Sequence, residues 1–407
     1  MPPAPELPCR VLLLNDAEAA LPAALCTAMA RSSCRSLVRD ALEQRTEAIL
    51  LWLQGPAQLT QYLDAIAALP VPLPVLACVP GASLDEQRSG FQRGVQVWLE
   101  SMDGLDAALH WARWQFERQQ ALQSRLDERR WTEQAKNVLM QTCAMDEAAA
   151  HRLLRESAMQ ARLRLAELSR SVVQAAQLAE GVNLAGQQRM LSQRIVKLIA
   201  QRAAAIEPRR AKQLQDESAA RIEANLARLH ERLPAFDLQP VNGAWAALRP
   251  LLVGKPTAEV LLRADAAAQD LLERSEQLTE AIEAAGAGRP LHLVNVCGRQ
   301  RMLSQRLAKQ ALLADLLPGG AAPGAMGESL DAFASGLAEL EAAPLSSPAI
   351  RELQSATRDE WLRLLRALRD TQGREAASGL ARSSEVLLGQ LDLLTASYQQ
   401  SVQVLLA

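Results

Sequence analysis

Aromatic side chains are scarce in this 407-residue chain: seven Trp, four Phe and two Tyr, 3% of the whole. Sheet proteins lean on aromatic and β-branched residues, so an all-β enzyme is excluded. Ala, Leu, Gln, Arg and Glu dominate instead, and these favour helices. Long apolar runs are also missing; none approaches the roughly 20 residues of a membrane span. The opening MPPAPELPCR lacks the charged start and apolar run of a signal peptide. A cytoplasmic protein with no membrane partner is therefore expected. Excess charge of one sign is absent, 44 Lys plus Arg facing 46 Asp plus Glu. The six cysteines (Cys9, Cys26, Cys34, Cys78, Cys143, Cys297) never stand as CxxC, and the four histidines lie far apart. That spacing argues against a zinc site, and a reducing compartment fits. No Ser/His/Asp or Cys/His pattern, P-loop or HExxH motif occurs. The expectation is no catalytic residue, no metal and no cofactor, with binding or sensing as the task.

What is present divides into three regions, and the length admits two or three cores. Residues 1–103 read as short strands alternating with helices. The strands expected are Arg10–Asp16, a weak Cys34–Val38, Ala48–Leu53, Pro74–Val79 and Val95–Leu99, with a helical segment between the first two. Near-continuous apolar strands separated by helix-length segments imply a parallel sheet covered on both faces. This (βα)5 pattern resembles the receiver domain of bacterial response regulators. The acidic pair after the first strand is reduced to Asn15-Asp16, the third strand ends Leu53-Gln54 without an acceptor Asp, and Glu100-Ser101 follows the fifth without Lys. One carboxylate holds a hard divalent cation poorly, so the reading is a degenerate receiver used for packing and dimerisation.

From residue 104 to 130 the pattern is one long helix, a possible coiled coil, with Leu105, Leu109, Trp111 or Ala112, Phe116, Leu122 and Leu126 as its apolar stripe. Residues 131–178 read as three short amphipathic helices. The first runs through Glu133–Met140; Asp146 is the expected N-cap of the second; the third carries Leu165, Leu168, Val172 and Val173. Gln134, Ala135, Lys136, Leu139 and Met140, then Glu147, Ala148, Arg152, Leu154, Arg155, Ala158 and Met159, then Leu165, Ala166, Leu168 and Ser169 closely resemble the ANTAR domain, an RNA-binding antitermination module. That resemblance implies stem-loops of leader mRNA as partner, with RNA polymerase affected only indirectly. Between Arg113 and Arg170 eleven Arg or Lys face eight Asp or Glu, a modest surplus suited to phosphate and shape recognition. Lys136, Arg152, Arg155, Arg162 and Arg164 are the candidate RNA contacts; each also reads as an ordinary solvated helix residue. Met140, Met145 and Met159 read as core or turn packing, and His151 as exposed.

The remaining residues contain an internal repeat. Asn183 to Lys197, NLAGQQRMLSQRIVK, recurs as Asn295 to Lys309, NVCGRQRMLSQRLAK, and the run from Gln188 to Arg194 is identical to Gln300–Arg306. Each copy opens about four helices, over residues 179–288 and 289–407, as expected of two four-helix bundles. Arg189 and Gln193, like Arg301 and Gln305, are four apart and share a helix face. Gly186 and Gly298 precede the first arginine and permit close helix approach; Arg194 and Arg306 point more to the side. If the bundles pack with pseudo-twofold symmetry, Arg189 and Arg301 converge, and two guanidinium groups are suited to clamp a planar oxyanion. A structural, salt-bridged motif explains the same residues.

The repeat resembles the P-box of bacterial nitrate and nitrite sensors and of the pilus-type chemoreceptor N-terminal domain. The resemblance implies nitrate or nitrite as a small-anion effector at Arg189 and Arg301, with Gly186, Gly298, Gln193, Gln305, Arg194 and Arg306 in support. Together the resemblances imply a cytoplasmic, nitrate- or nitrite-responsive transcription antiterminator that self-associates. A non-enzymatic protein-interaction adaptor is the alternative.

Overall fold

The computed structural model describes residues 10–15, 30–33, 36–43, 45–101, 104–143, 145–286, 289–317, 325–343, 347–369 and 374–405. The chain forms two compact units, Met1–Arg129 and Arg130–Ala407.

In the first unit, β1 (Val11–Asn15), β2 (Ala30–Ser32), β3 (Ala48–Trp52), β4 (Val75–Cys78) and β5 (Val95–Trp98) make a parallel sheet in the order β2-β1-β3-β4-β5. This is a doubly wound, receiver-like order. Alternate residues of one strand enter opposite cores because side chains alternate across a sheet. Leu12 and Leu14 pack with Ile49, Leu51 and helix α2 (Leu59–Ala67), while Val11 and Leu13 pack with Leu50, Leu76 and the start of α4 (Leu105–Cys143). The remaining helices are α1 (Leu37–Glu43) and α3 (Leu84–Gln92), the latter begun by a Ser83–Glu86 capping box.

The strand expected at Cys34–Val38 is corrected: β2 lies at Ala30–Ser32, and Val38 is an exposed residue of α1. Leu37, fully buried, fills the core from a helix rather than from a strand. The helical segment expected after β1, with Asp16, lies outside the described residues. Helix α4 is longer than expected and unbroken near residue 130. Leu105, Leu109 and Ala112 of its stripe are buried, whereas Trp111, Leu122 and Leu126 are exposed.

The second unit begins with a three-helix layer. The last turns of α4, α5 (Glu147–Ala161) and the first turns of α6 (Leu165–Ala203) enclose Ala135, Leu139, Ala150, Leu154, Leu168, Val172 and Val173. Asp146 caps α5 as expected, accepting from the Ala149 amide at 2.7 Å. The sequence divides the three-helix segment from the first four-helix set at residues 178 and 179; α6 instead runs without a break from this layer through the first repeat motif. Ala175, Ala176 and Ala179 favour continuation, and Gly181 is accommodated because Leu233 packs where a Cβ would stand.

Two four-helix sets follow. The first contains α6, α7 (Pro208–Arg232), α8 (Gln239–Leu248, extended by a 3₁₀ turn at Arg249–Leu252) and α9 (Ala258–Ala285). The second contains α10 (Arg289–Leu316), α11 (Ala325–Glu341), α12 (Pro348–Arg369) and α13 (Arg374–Leu405). The motif helices α6 and α10 pack on each other, so one continuous apolar core runs through both sets. Helix α6 is consequently buried on nearly all sides over its second half. Its polar residues there must find partners inside the protein.

Candidate functional site

The two repeat motifs meet at a glycine pair. A Cβ built on Gly298 would lie 3.7 Å from Gly186 Cα, and one built on Gly186 would lie 3.7 Å from Gly298 Cα. At that distance an added Cβ would be in ordinary contact with the facing backbone, and its tighter neighbour would be Arg189 Nη2, 3.2 Å from the Gly186 position and 3.0 Å from the Gly298 position. Both arginines lie over the crossing: Arg189 Nη2 is 3.2 Å and Arg301 Nη2 3.8 Å from the Gly186 Cβ position. The convergence that the repeat suggests is thus present, with both guanidinium groups inaccessible to solvent.

Each arginine crosses to the opposite motif. Arg189 Nη2 donates to Asn295 Oδ1 at 2.7 Å, and Arg301 Nη2 donates to Asn183 Oδ1 at 2.8 Å. Each also pairs with an acid of its own set, Arg189 Nη1 with Glu276 at 2.5 Å and Arg301 Nη1 with Asp392 at 2.8 Å. Burial lowers the Arg189 pKa, and Glu276 opposes that shift. Burial likewise raises the Glu276 carboxyl, but Arg189 and then Arg299 outweigh it and hold the pKa below the usual range. The Nε donors of Arg189 and Arg301 are buried with no hydrogen-bond partner among the described residues, as is that of Arg306. Such donors are costly to leave unmet, and two of these three belong to the converging groups.

The hydroxyls of Ser192 and Ser304 donate to the carbonyls of Arg189 and Arg301, each at 2.8 Å, and Gln193 and Gln305 donate to those hydroxyls at 3.2 and 3.4 Å. Gln193 and Gln305 therefore lie behind the arginines. Arg194 pairs with Glu385 at 2.5 Å and donates to Ser218 Oγ at 3.2 Å. Arg306, by contrast, makes no ion pair among the described residues. Lys197 is fully buried and donates to Gln305 Oε1 (2.6 Å), Ser384 Oγ (3.0 Å) and Glu385 Oε1 (2.5 Å). Burial pushes Lys197 down to about 8 against the pull of Glu385; Glu385 is raised by burial but brought to about 2 by Lys197 and Arg194.

Asn183, Asn295, Lys197, Glu276 and Asp392 were not among the candidate residues. The two asparagines and Lys197 carried a signal, since they open and close the repeated motif. Glu276 and Asp392 lie outside it and carried none.

The candidate RNA contacts separate into two groups. Lys136 is buried and pairs with Glu133 (2.8 Å) and Glu147 (2.6 Å); hydrogen bonds to both carboxylates raise its pKa. It joins α4 to the start of α5, which is a packing role. Arg152, Arg155, Arg162 and Arg164 are exposed, Arg164 pairing with Glu167 at 2.6 Å. Arg162 ends α5 in the left-handed region, φ 56°. Met140 and Met145 pack against the three-helix core as expected, but Met159 does not: it is 71% exposed beside the exposed Leu163. Its place on the outer face of α5 explains the difference, since Leu154 and Ala158 occupy the inner one.

Residues 120–173 match the ANTAR domain, and residues 171–253 and 290–387 match the type IV pili methyl-accepting chemotaxis transducer N-terminal domain. No curated protein and no solved structure matches the chain. The ANTAR match indicates an RNA-binding regulator of the antiterminator type, joined here to helical, sensor-like sets. ANTAR domains are regulatory rather than enzymatic. No described helix is long and apolar enough to cross a membrane, and no described group of three His, Cys, Asp or Glu is placed to hold a metal.

Proposed function

We propose that the protein is a cytoplasmic antiterminator whose binding of leader-RNA stem-loops responds to nitrate or nitrite held between Arg189 and Arg301. The observation that carries this reading is the pair of buried, converging guanidinium groups with unspent Nε donors, one of them on the helix that also completes the three-helix layer. A planar oxyanion supplies acceptors for these donors, through charge-assisted bonds stronger than those to the amide oxygens of Asn183 and Asn295. Glu276 and Asp392 already neutralise the arginines, so an entering anion must alter those pairs and shift α9 or α13 against the motif helices. Because α6 is continuous, a displacement at Arg189 is carried towards Leu168 and Val172. Coupling requires that the anion favour one arrangement over the other.

The receiver-like unit lacks an acceptor Asp at the end of β3 and serves self-association in this reading. Arg152, Arg155 and Arg162 form the phosphate-contacting face. The decisive experiment measures retention of the protein's own leader RNA with and without nitrate. Nitrate-dependent retention is expected, with the triple alanine variant of Arg152, Arg155 and Arg162 losing affinity and salt dependence. Absence of retention in both conditions, alongside a stable protein partner, favours an interaction adaptor. The internal pairing of Arg189 and Arg301 is the observation on that side.

A further inference from the structure

A cavity of about 390 Å³ opens where the end of α6, the start of α7 and the first half of α13 come together. It is separate from the arginine crossing and within the size range of small-molecule sites, about 300–1,000 Å³. Its apolar wall includes Ile206, Leu214 and Val386. Ile206 is held between two non-glycine residues in the left-handed region, Ala205 (φ 56°) and Glu207 (φ 41°). Strain of that kind persists where the surrounding structure enforces it and concentrates at binding sites.

The polar groups decide what the cavity takes. Both oxygens of Glu385 are engaged by Lys197 and Arg194, and Glu207 is paired with Arg210 at 3.1 Å. The acids are therefore spent. The donors are not: the Arg382 guanidinium forms no ion pair among the described residues, its Nε reaching only the Ser378 carbonyl at 3.4 Å. Gln201 lines the cavity with 6% of its surface exposed, and its side chain makes no hydrogen bond to a described residue. An amide that lines a cavity and spends no bond on a described residue is free to bond an occupant. Unspent cationic and amide donors beside an aliphatic wall call for an acceptor with a short apolar body.

We propose that this cavity is a second ligand site, which takes a small aliphatic carboxylate. The carboxylate faces Arg382 and Gln201, and the hydrocarbon part lies against Ile206, Leu214 and Val386. Glu385 borders the cavity and holds Lys197, which in turn bonds Gln305 of the second motif. An occupant thus adjoins the ion cluster that joins the two repeats.

Calorimetric titration of the full chain with isovalerate, 2-oxoisovalerate and isopentylamine tests the proposal. Saturable binding of one or both carboxylates is expected, one per chain, with no binding of the amine. Arg382→Glu should weaken it at least tenfold, and Leu214→Trp should abolish it by filling the wall. Arg189→Ala with Arg301→Ala should leave it intact, whether or not that pair binds nitrate. Absence of carboxylate binding overturns the proposal. So does amine binding, or carboxylate binding lost in the double arginine variant but kept in Arg382→Glu. Circular dichroism of each variant, matched to the parent, separates loss of binding from loss of fold.

Discussion

The two repeat motifs have the same innermost contacts and different surroundings. In both, a serine hydroxyl bonds the arginine carbonyl, an asparagine of the opposite motif accepts from Nη2, and an acid of the last helix accepts from Nη1. One layer out, the halves diverge. Asn183 donates to the neutral Gln399 at 3.0 Å, whereas Asn295 donates to Glu283. Glu283 accepts from His292 at 2.8 Å, and the other ring nitrogen of His292 lies 2.9 Å from Glu339. The position equivalent to His292 in the first copy is Glu180, which pairs with Arg228. At the far end of the motifs, Glu385 gathers Arg194 and Lys197, while Lys309 has Asp265 at 2.6 Å and Arg306 makes no ion pair among the described residues. Duplication followed by divergence of the outer layer alone is the pattern expected when the inner geometry is what both copies must keep.

The largest difference between the halves should appear on removing these far acids. Glu385→Gln leaves a fully buried Lys197 without its countercharge and should cost about 3–5 kcal/mol in urea unfolding. Asp265→Asn, at a carboxylate 37% exposed, should cost about 1–2 kcal/mol. Equal losses would break the asymmetry. Acid sharpens the same contrast. The Glu385 pKa is depressed to about 2 in the folded protein, from an ordinary 4.5. Its stabilisation is therefore complete above about 4.5 and lost as pH falls towards 2, and Glu385→Gln should flatten that limb of the pH–stability curve.

A smaller effect is expected at the crossing. A Cβ at Gly298 would stand 3.0 Å from Arg189 Nη2 and 3.6 Å from Arg301 Nη2. Gly298→Ala should cost about 1–2 kcal/mol and disturb Arg189 more than Arg301, visible as a larger change in the Arg189 side-chain resonance. Equal disturbance of the two would make the crossing symmetric.

The smallest effect concerns His292. Burial lowers its pKa, but hydrogen bonds to Glu283 and Glu339, and their charge, more than compensate and raise it above the ordinary 6.5. These two carboxylates, from α9 and α11, are the charged groups that act on it. A raised folded pKa gives stabilisation that is complete below about 6.5 and lost as pH rises through the folded value. Because the side chain is 46% exposed, solvent screening limits the effect to under about 1 kcal/mol. His292→Gln should remove a step in thermal stability above pH 6.5; an unchanged step would place its origin elsewhere.

Much of this was legible in the sequence where local pattern and packing agree. Strands β1, β3, β4 and β5 stood out as compact apolar runs, and Asp146 as a cap. The repeat suggested that Arg189 and Arg301 converge if the two sets pack with pseudo-twofold symmetry, and that Gly186 and Gly298 admit a close helix; that the two glycines face each other came from the fold. The second strand was misplaced because Leu37 and Val38 look like strand residues, while their burial follows a helix. The continuity of α6 was hidden because its polar motif resembles a fresh start, although no residue between Leu165 and Asn183 stops a helix. Glu276 and Asp392 were invisible for a different reason. A buried arginine needs a countercharge, but only the fold says which of 46 acids supplies it.

The central claim is that Arg189 and Arg301 together receive a small oxyanion. Isothermal titration of nitrate and nitrite into the full chain, repeated with Arg189→Ala plus Arg301→Ala, tests it directly. The account predicts one saturable site per chain, lost in the double variant while the helical fold remains. No binding by the parent chain, or binding unchanged when both arginines are removed, would contradict it.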